Sequence, residues 1–327
     1  MAIQGRLHSK WSLLCFAPIA FFFYGLSYIH QLADPRTIMN TSRAYKLTLV
    51  LLSCLVSPSS FLLSKVNASE YWDSGLAEIS RYELKQARYG AIRDGEAILL
   101  FVTEPFSTVA QVKDDSGKDP SAERVLKLNA FKRFNTGIYD YSIMNSVFSS
   151  MDSSKKIPTY KVTTSIQDWC GQVFHQWNQR EAAWESELRS YFQSDGDSDE
   201  TLPLVPHEDG VWNRIRIDPQ SLPVGEFDMI PSSNFLRLKH KAIKPYSVSA
   251  SLEKDSYQLN YVELKRTIII RFEEKFPHEI LGWSESYPDR GDKILTTEAK
   301  RTHDLRSYYW EQNQPSFVKL RKRLGLN

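Results

Sequence analysis

Within the twelve residues Gln167–Asn178 (QDWCGQVFHQWN) the chain gathers a carboxylate, a thiol, an imidazole and two indoles. Asp168, Cys170 and His175 are the residue types of a nucleophile, its base and an orienting acid, the set a hydrolase would use. Their spacing works against that chemistry. Positions five apart in a strand face opposite sides of the sheet, and on a helix they are poorly aligned. A two-residue period instead places Trp169, Val173, His175 and Trp177 on one face, with Cys170 and Phe174 on the other. The first four could line an apolar ligand pocket. The plainer alternative makes His175 a hydrogen-bonded histidine at a sheet edge and Cys170 a buried or half-buried structural thiol.

No other constellation is specific. Glu273-Glu274 and the same-face pair Glu185/Glu187 look like any solvated charge pair. His207, His278 and His303 are scattered, without HxH or HExxH spacing, so zinc has no support. Asp195, Asp197 and Asp199 alternate as calcium ligands can. Counted from Asp195, however, the sixth and twelfth loop positions hold Glu200 and Pro206 where an EF-hand needs glycine and glutamate. There is no GxSxG and no phosphate-binding glycine loop. No metal and no cofactor is expected.

The elements around the patch read as strands. Glu78–Arg88 suits a long extended segment, and Ala97–Thr103 (AILLFVT) is strongly apolar. Asp94-Gly95 between them is a hairpin signal, and Asn135-Thr136-Gly137 is a second, joining Val125–Phe134 to Ile138–Ser149. Tyr160, Val162, Thr164 and Ile166 alternate with polar residues, as do Tyr246, Val248, Ala250 and Leu252. A turn is expected at Gln167-Asp168. Further strands are expected at Tyr257–Leu264, Thr267–Phe272, Glu279–Tyr287, Ile294–Lys300 and Leu305–Trp310. Lys113–Ala122 and Ser194–Glu200 read as exposed loops, and the proline-rich stretch Pro203–Pro231 as an irregular connection with one short helix. Many closely spaced strands without long helical patterns predict an all-β, mainly antiparallel fold. A curved open sheet or partly closed barrel fits best, with a sandwich as the alternative.

Two uncharged stretches precede this region, Trp11–Ile29 and Leu47–Ser64. The second has a secretory layout: Arg43 and Lys46, an apolar run, then small residues at Ala68 and Ser69. Counted from Met39 it is a signal peptide or apolar anchor helix over residues 39–68. Residues 1–38 are then a gene-start extension or an extra membrane segment, and residues 69–327 a single exported domain. A hairpin of both segments would put Arg36, Arg43 and Lys46 on the translocated side, against the positive-inside tendency. Cys54 resembles a lipobox cysteine, but the apolar run continues beyond it to Leu63. The expected location is the periplasm or cell envelope, with membrane association only through the N-terminal segment.

Lysine plus arginine (41) nearly balances aspartate plus glutamate (39), which gives no reason to expect nucleic-acid binding. Only Cys170 of the three cysteines lies in the exported region, so no internal disulfide or thiolate cluster can form there. The segment Lys319–Arg323 is locally basic, a solvated tail or a docking site for anionic lipid or a partner.

Ala77–Gly90 (AEISRYELKQARYG), Ala97–Glu104, Leu126–Asn129, Thr136–Ser142 and Thr163–Gly171 (TTSIQDWCG) together resemble an uncharacterised family of exported bacterial proteins. Its members often carry the label "septum formation inhibitor Maf". That label does not fit these residues. True Maf proteins are α/β nucleotide pyrophosphatases with a Ser-x-Ser-Pro-Arg-Arg loop. The nearest text here, Ser57-Pro58-Ser59-Ser60, lies in the apolar leader and lacks the arginines. The strand order, with Gly95 and Ala97 after a first hairpin, also resembles periplasmic curved-sheet proteins of the DUF3108 type, distant in style from the lipoprotein carriers LolA and LolB. A large aromatic share (13%) in strand segments, without a catalytic constellation, favours a non-enzymatic envelope protein. It would bind a lipid or other apolar ligand, or an envelope protein, on a curved sheet, or serve as a structural part of envelope assembly.

Overall fold

The computed structural model describes residues 70–326, within one compact unit, Val66–Asn327. The expected leader, residues 1–38 and 39–68, lies outside the described residues. Fifteen strands form a single sheet. The first half holds β1 (Ala77–Arg88), β2 (Ala91–Ser107), β3 (Val112–Lys113), β4 (Ala122–Thr136), β5 (Tyr139–Ser150), β6 (Thr159–Asp168), β7 (Gly171–Gln179), β8 (Ala183–Ser190) and β9 (Ser198–Pro203). The second half holds β10 (Gly225–Met229), β11 (Tyr246–Leu252), β12 (Ser256–Tyr261), β13 (Arg266–Phe272), β14 (Ile280–Pro288) and β15 (Ile294–Ser307). Short helices accompany them, among the described residues α1 (Val211–Ile217), α2 (Ser233–Leu238) and α3 (Val318–Arg323).

The strand order runs β10 to β15, then β1, β2 and β4 to β9, with β3 beside β2. The strand pairs are antiparallel, and the first and last strands of the chain lie side by side through Ala77↔Ser307. The fold is therefore mainly antiparallel β, as expected, and the sheet is open, with β9 and β10 as its ends. A single parallel bridge, His207↔Ile230, links the segments that follow these two edge strands. Asp199, Glu200, Glu226 and Asp228 stand on the edges, where charge discourages pairing with another chain.

Strict alternation gives the sheet one apolar face. In β11, Tyr246, Val248 and Ala250 are buried while Ser247, Ser249 and Ser251 face out. The sheet curls tightly around that face. Asn145 of β5 and Ile268 of β13 line one cavity of about 50 Å³. Six strand spacings separate these strands along the sheet, about 29 Å if it were flat at ~4.8 Å per strand. Apart from the edge strand β10, residues 204–245 pack against the inside of the curl. Val211, Ile215, Met229, Ile230, Phe235 and Leu236 join the same core as Trp177, Trp184, Tyr257 and Trp283. Asn213 of α1 donates to the Leu126 and Val147 carbonyls (2.9 and 3.2 Å). On the opposite face a smaller core, Ala77, Ile79, Leu100, Val102 and Leu305, is covered by Leu320, Leu324 and Leu326.

Several boundaries depart from the expectations. Asp94 and Gly95 lie inside β2, and the first hairpin turns at Tyr89-Gly90, where φ is positive at both residues (56° and 78°). Gly95 is glycine for a different reason: a Cβ there would stand 2.3 Å from the Arg133 carbonyl oxygen across the β2–β4 ladder. The turn expected at Gln167-Asp168 falls at Trp169-Cys170, two residues later. Ile294–Lys300 and Leu305 belong to one strand, β15, and Tyr309–Glu311 form a short 3-10 turn. The acidic loop is shorter than expected, because Ser198–Glu200 pair with β8. The proline-rich connection holds the edge strand β10 besides its helix.

Candidate functional site

The chemistry-bearing patch at 167–178 divides into a turn and a strand. Asp168 closes the β6–β7 hairpin, its Oδ1 accepting from the Cys170 and Gly171 N–H groups (2.7 and 3.1 Å). Cys170 is thereby held on the outside of the turn as an exposed free thiol, not the buried one expected. Trp169 shares its turn, 69% exposed, and its indole N–H donates to Asp140 (2.9 Å). It therefore does not join Val173, His175 and Trp177, because the two-residue period begins only at Gly171. The other three do share the buried face of β7.

His175 and Trp177 are walled in by the chain's own inserted segment. The Trp177 indole donates to Ser233 Oγ (2.8 Å), and its ring meets His207 edge-on, centroids 5.2 Å apart. His175 Nε2 lies 2.8 Å from Ser186 Oγ on β8. It is a buried, hydrogen-bonded histidine of an interior strand, with Ser186 as partner rather than Cys170. Burial pushes its pKa down to about 3, so the ring is neutral at physiological pH. His207, buried between Trp177 and Trp184, is pushed down to about 3 for the same reason, with a further contribution from His175.

His175 also lines the floor of an open groove. Its walls are Leu188 and Glu200 from β8 and β9, Asp195 from the loop between them, and Arg237, His240 and Lys241 from the end of α2; the hollow measures about 410 Å³. Asp195 ties the two walls together, ion-paired with Arg237 (3.0 Å) and hydrogen-bonded to His240 (3.0 Å). Arg237 lies over the Phe192 ring, 4.2 Å from its centroid. Asp195 is thus committed to a protein cation and Asp197 to the Ser190 N–H (2.9 Å), which leaves no calcium-like arrangement in this loop. Among the described residues no cluster of three or more histidine, cysteine or acidic side chains could hold a metal ion.

The strongest electrostatics lie inside the curl, at residues the motif reading passed over. Arg266 of β13 makes two bonds to Glu208 (2.5 and 2.6 Å) and one to Glu285 (2.7 Å). Tyr261 donates to the same Glu208 carboxylate (2.8 Å). Burial alone would lower the Arg266 pKa, but the two carboxylates outweigh it and hold the guanidinium well above its ordinary value. A second fully buried pair joins Arg216 of α1 to Glu78 of β1 (2.6 Å), with Tyr71 donating to Glu78 and Arg216 reaching the Pro277 carbonyl (2.9 Å). Burial pushes Glu78 up, and Arg216 more than reverses this, leaving the carboxyl below its usual range. Asp209 has no such partner: burial and the neighbouring Glu208 raise its pKa to about 6. The signal for these residues was parity. Arg266 has the parity of Ile268 and Ile270, Glu285 that of Trp283, and Glu78 that of Tyr82 and Leu84.

Comparison with known proteins gives little. No protein-family model matches the chain, and no curated protein matches it. The chain is similar in structure to a crystal structure described as a β-barrel-like protein of domain of unknown function DUF1849 from Brucella abortus. The two share 8% identity over 70% of this chain and 96% of that one, with a TM-score of 0.40. At that score the likeness carries no argument about fold or function.

Proposed function

We propose that this chain is a non-enzymatic cell-envelope protein that binds a protein partner on its curved sheet, at the groove beside β9. The observation that carries this reading is the contrast between the inside and the rim of the curl. Residues 204–245 occupy the concave aromatic face and leave a cavity of about 50 Å³, room for a few water molecules. The groove at the rim is about 410 Å³, open, and charged on both walls. An apolar ligand on the concave face would require this segment to leave. The Glu78–Arg216 and Glu208–Arg266 pairs would then part from low-dielectric surroundings. A structural role in envelope assembly is a special case of the same partner binding. The hydrolase alternative is disfavoured by the residues themselves: His175 is buried against Ser186, while Cys170 stands exposed on the turn. The envelope location is supported by the secretory layout of residues 39–68 and by the resemblance to exported families, including the DUF3108 type.

Glu200 and Lys241 are exposed on facing walls of the groove, which makes them the residues to reverse. In cells carrying the tagged full chain, chemical cross-linking is expected to yield a discrete adduct that Glu200→Lys/Lys241→Glu abolishes. An adduct indifferent to both changes, or a stoichiometric lipid in the purified protein, would contradict the proposal.

A further inference from the structure

The C-terminal segment carries a second surface that the partner groove does not use. Tyr308, Trp310 and Val318 are 41%, 44% and 54% exposed, and Tyr309 stands out beside them. The three aromatic rings touch edge to face, with Trp310 at 5.7 Å from Tyr308 and 5.3 Å from Tyr309, and so form one patch. Helix α3 follows within a few residues. It carries Lys319, Arg321, Lys322 and Arg323, all exposed, while Leu320 packs down onto the small core of β1, β2 and β15. Between Tyr308 and Leu326 the only carboxylate is Glu311. Aromatic rings with a polar edge, set next to a cluster of basic side chains, are the composition that settles at a lipid headgroup boundary.

Placement in the fold supplies the occupant. Tyr308 donates to the Ser74 carbonyl (2.9 Å), and Arg306 donates to the Tyr71 carbonyl and to Ser74 Oγ, each 2.8 Å. Arg306 also lies over the Tyr71 ring, 3.8 Å from its centroid. The patch is therefore fastened to residues 71–74, the point at which the chain enters the sheet. The uncharged sequence Leu47–Ser64 ends six residues before Glu70, a reach of at most about 20 Å. A leader held in a bilayer would keep this end of the sheet close to the membrane surface.

We infer that the Tyr308–Trp310 patch and helix α3 rest on an anionic bilayer surface, a second membrane contact besides the N-terminal segment. The rings enter the headgroup layer, and the basic side chains of α3 meet anionic lipid at short range. This contact is independent of the groove and of what binds there.

The test uses the full chain reconstituted in vesicles of phosphatidylcholine alone, or of phosphatidylcholine with about three parts in ten phosphatidylglycerol, both containing acyl-brominated lipid. The emission of Trp310 is read as the difference between the full chain and Trp310→Phe. It is expected to be quenched in the anionic vesicles, much less in the neutral ones, and to lose that quenching in Lys319→Glu/Lys322→Glu/Arg323→Glu. Raising salt to about 1 M on the unsubstituted chain should reproduce the loss without any substitution, because it shortens the screening length to ~3 Å. A Trp310 signal unquenched in both lipids, or quenched equally whatever the charge or salt, would overturn the inference.

Discussion

At the scale of residues, the fold is distinguished by the charge it has taken inside. Arg266 stands between Glu208 and Glu285 with three short bonds and no exposed surface of consequence. An ion cluster of this kind adds little over an apolar core while intact, yet leaving its members unpaired is expensive. Arg266→Ala is expected to lower the unfolding free energy by about 3–5 kcal/mol, measured by urea denaturation, since two carboxylates would face each other in the core. The buried histidines set a pH dependence whose sign follows from proton counting. Unfolded, His175 takes up a proton near its ordinary value of 6.5; folded, it does so only near 3. Between those values the unfolded state binds the extra proton, so stability falls as pH falls. His175→Gln removes one proton from that balance. Its stability is expected to decline less steeply than the parent's across the window, by about 1.4 kcal/mol per pH unit, as read from urea midpoints at successive pH values. Identical slopes would mean that the ring is already charged in the folded protein.

At the scale of elements, alternation made most strands legible while one glycine, Gly95, misplaced the first turn. The serines that alternate with Val248 and Ala250 mark β11 without ambiguity, and β6 is as clear, because a half-buried strand must repeat every two residues. Gly95 misled because a strand-borne glycine and a turn glycine look alike in sequence. Here the missing Cβ lets β2 and β4 approach, with the Arg133 carbonyl and Phe134 Cβ only 2.3 and 2.8 Å from where it would be. Gly95→Ala should therefore separate the two strands and cost about 1–3 kcal/mol in thermal or urea unfolding, the range for overpacking. A neutral substitution would show that the ladder can shift cheaply. The candidate site was less legible than the strands. The period placed Val173, His175 and Trp177 on one face, but nothing in the sequence says what covers that face. The cover comes from residues 204–245, a proline-rich stretch whose short helices lack the repeat that makes longer ones visible. The ion clusters that fasten this cover were readable from strand parity, in Arg266 and Glu78, though not their pairing with Glu208 and Arg216.

At the scale of the whole molecule, an open sheet curls until strands far apart in its order share a core, and its own inserted segment takes the place a ligand would occupy. The two proposed contacts then lie on the outside: the charged groove beside β9, and the aromatic and basic C-terminal surface near the start of β1. The mainly antiparallel fold was foreseeable from many closely spaced strands without long helices, whereas the sealing of the concave face arises only from tertiary packing of the insert. Titration of the purified full chain with a fluorescent fatty-acyl probe tests the sealing most directly. No saturable uptake is expected, and the amides of α1 and α2 should stay protected from hydrogen exchange throughout. Uptake that saturates near one probe per chain, together with loss of protection in α1 and α2, would show that the insert is a displaceable plug and that the concave aromatic face is the binding site after all.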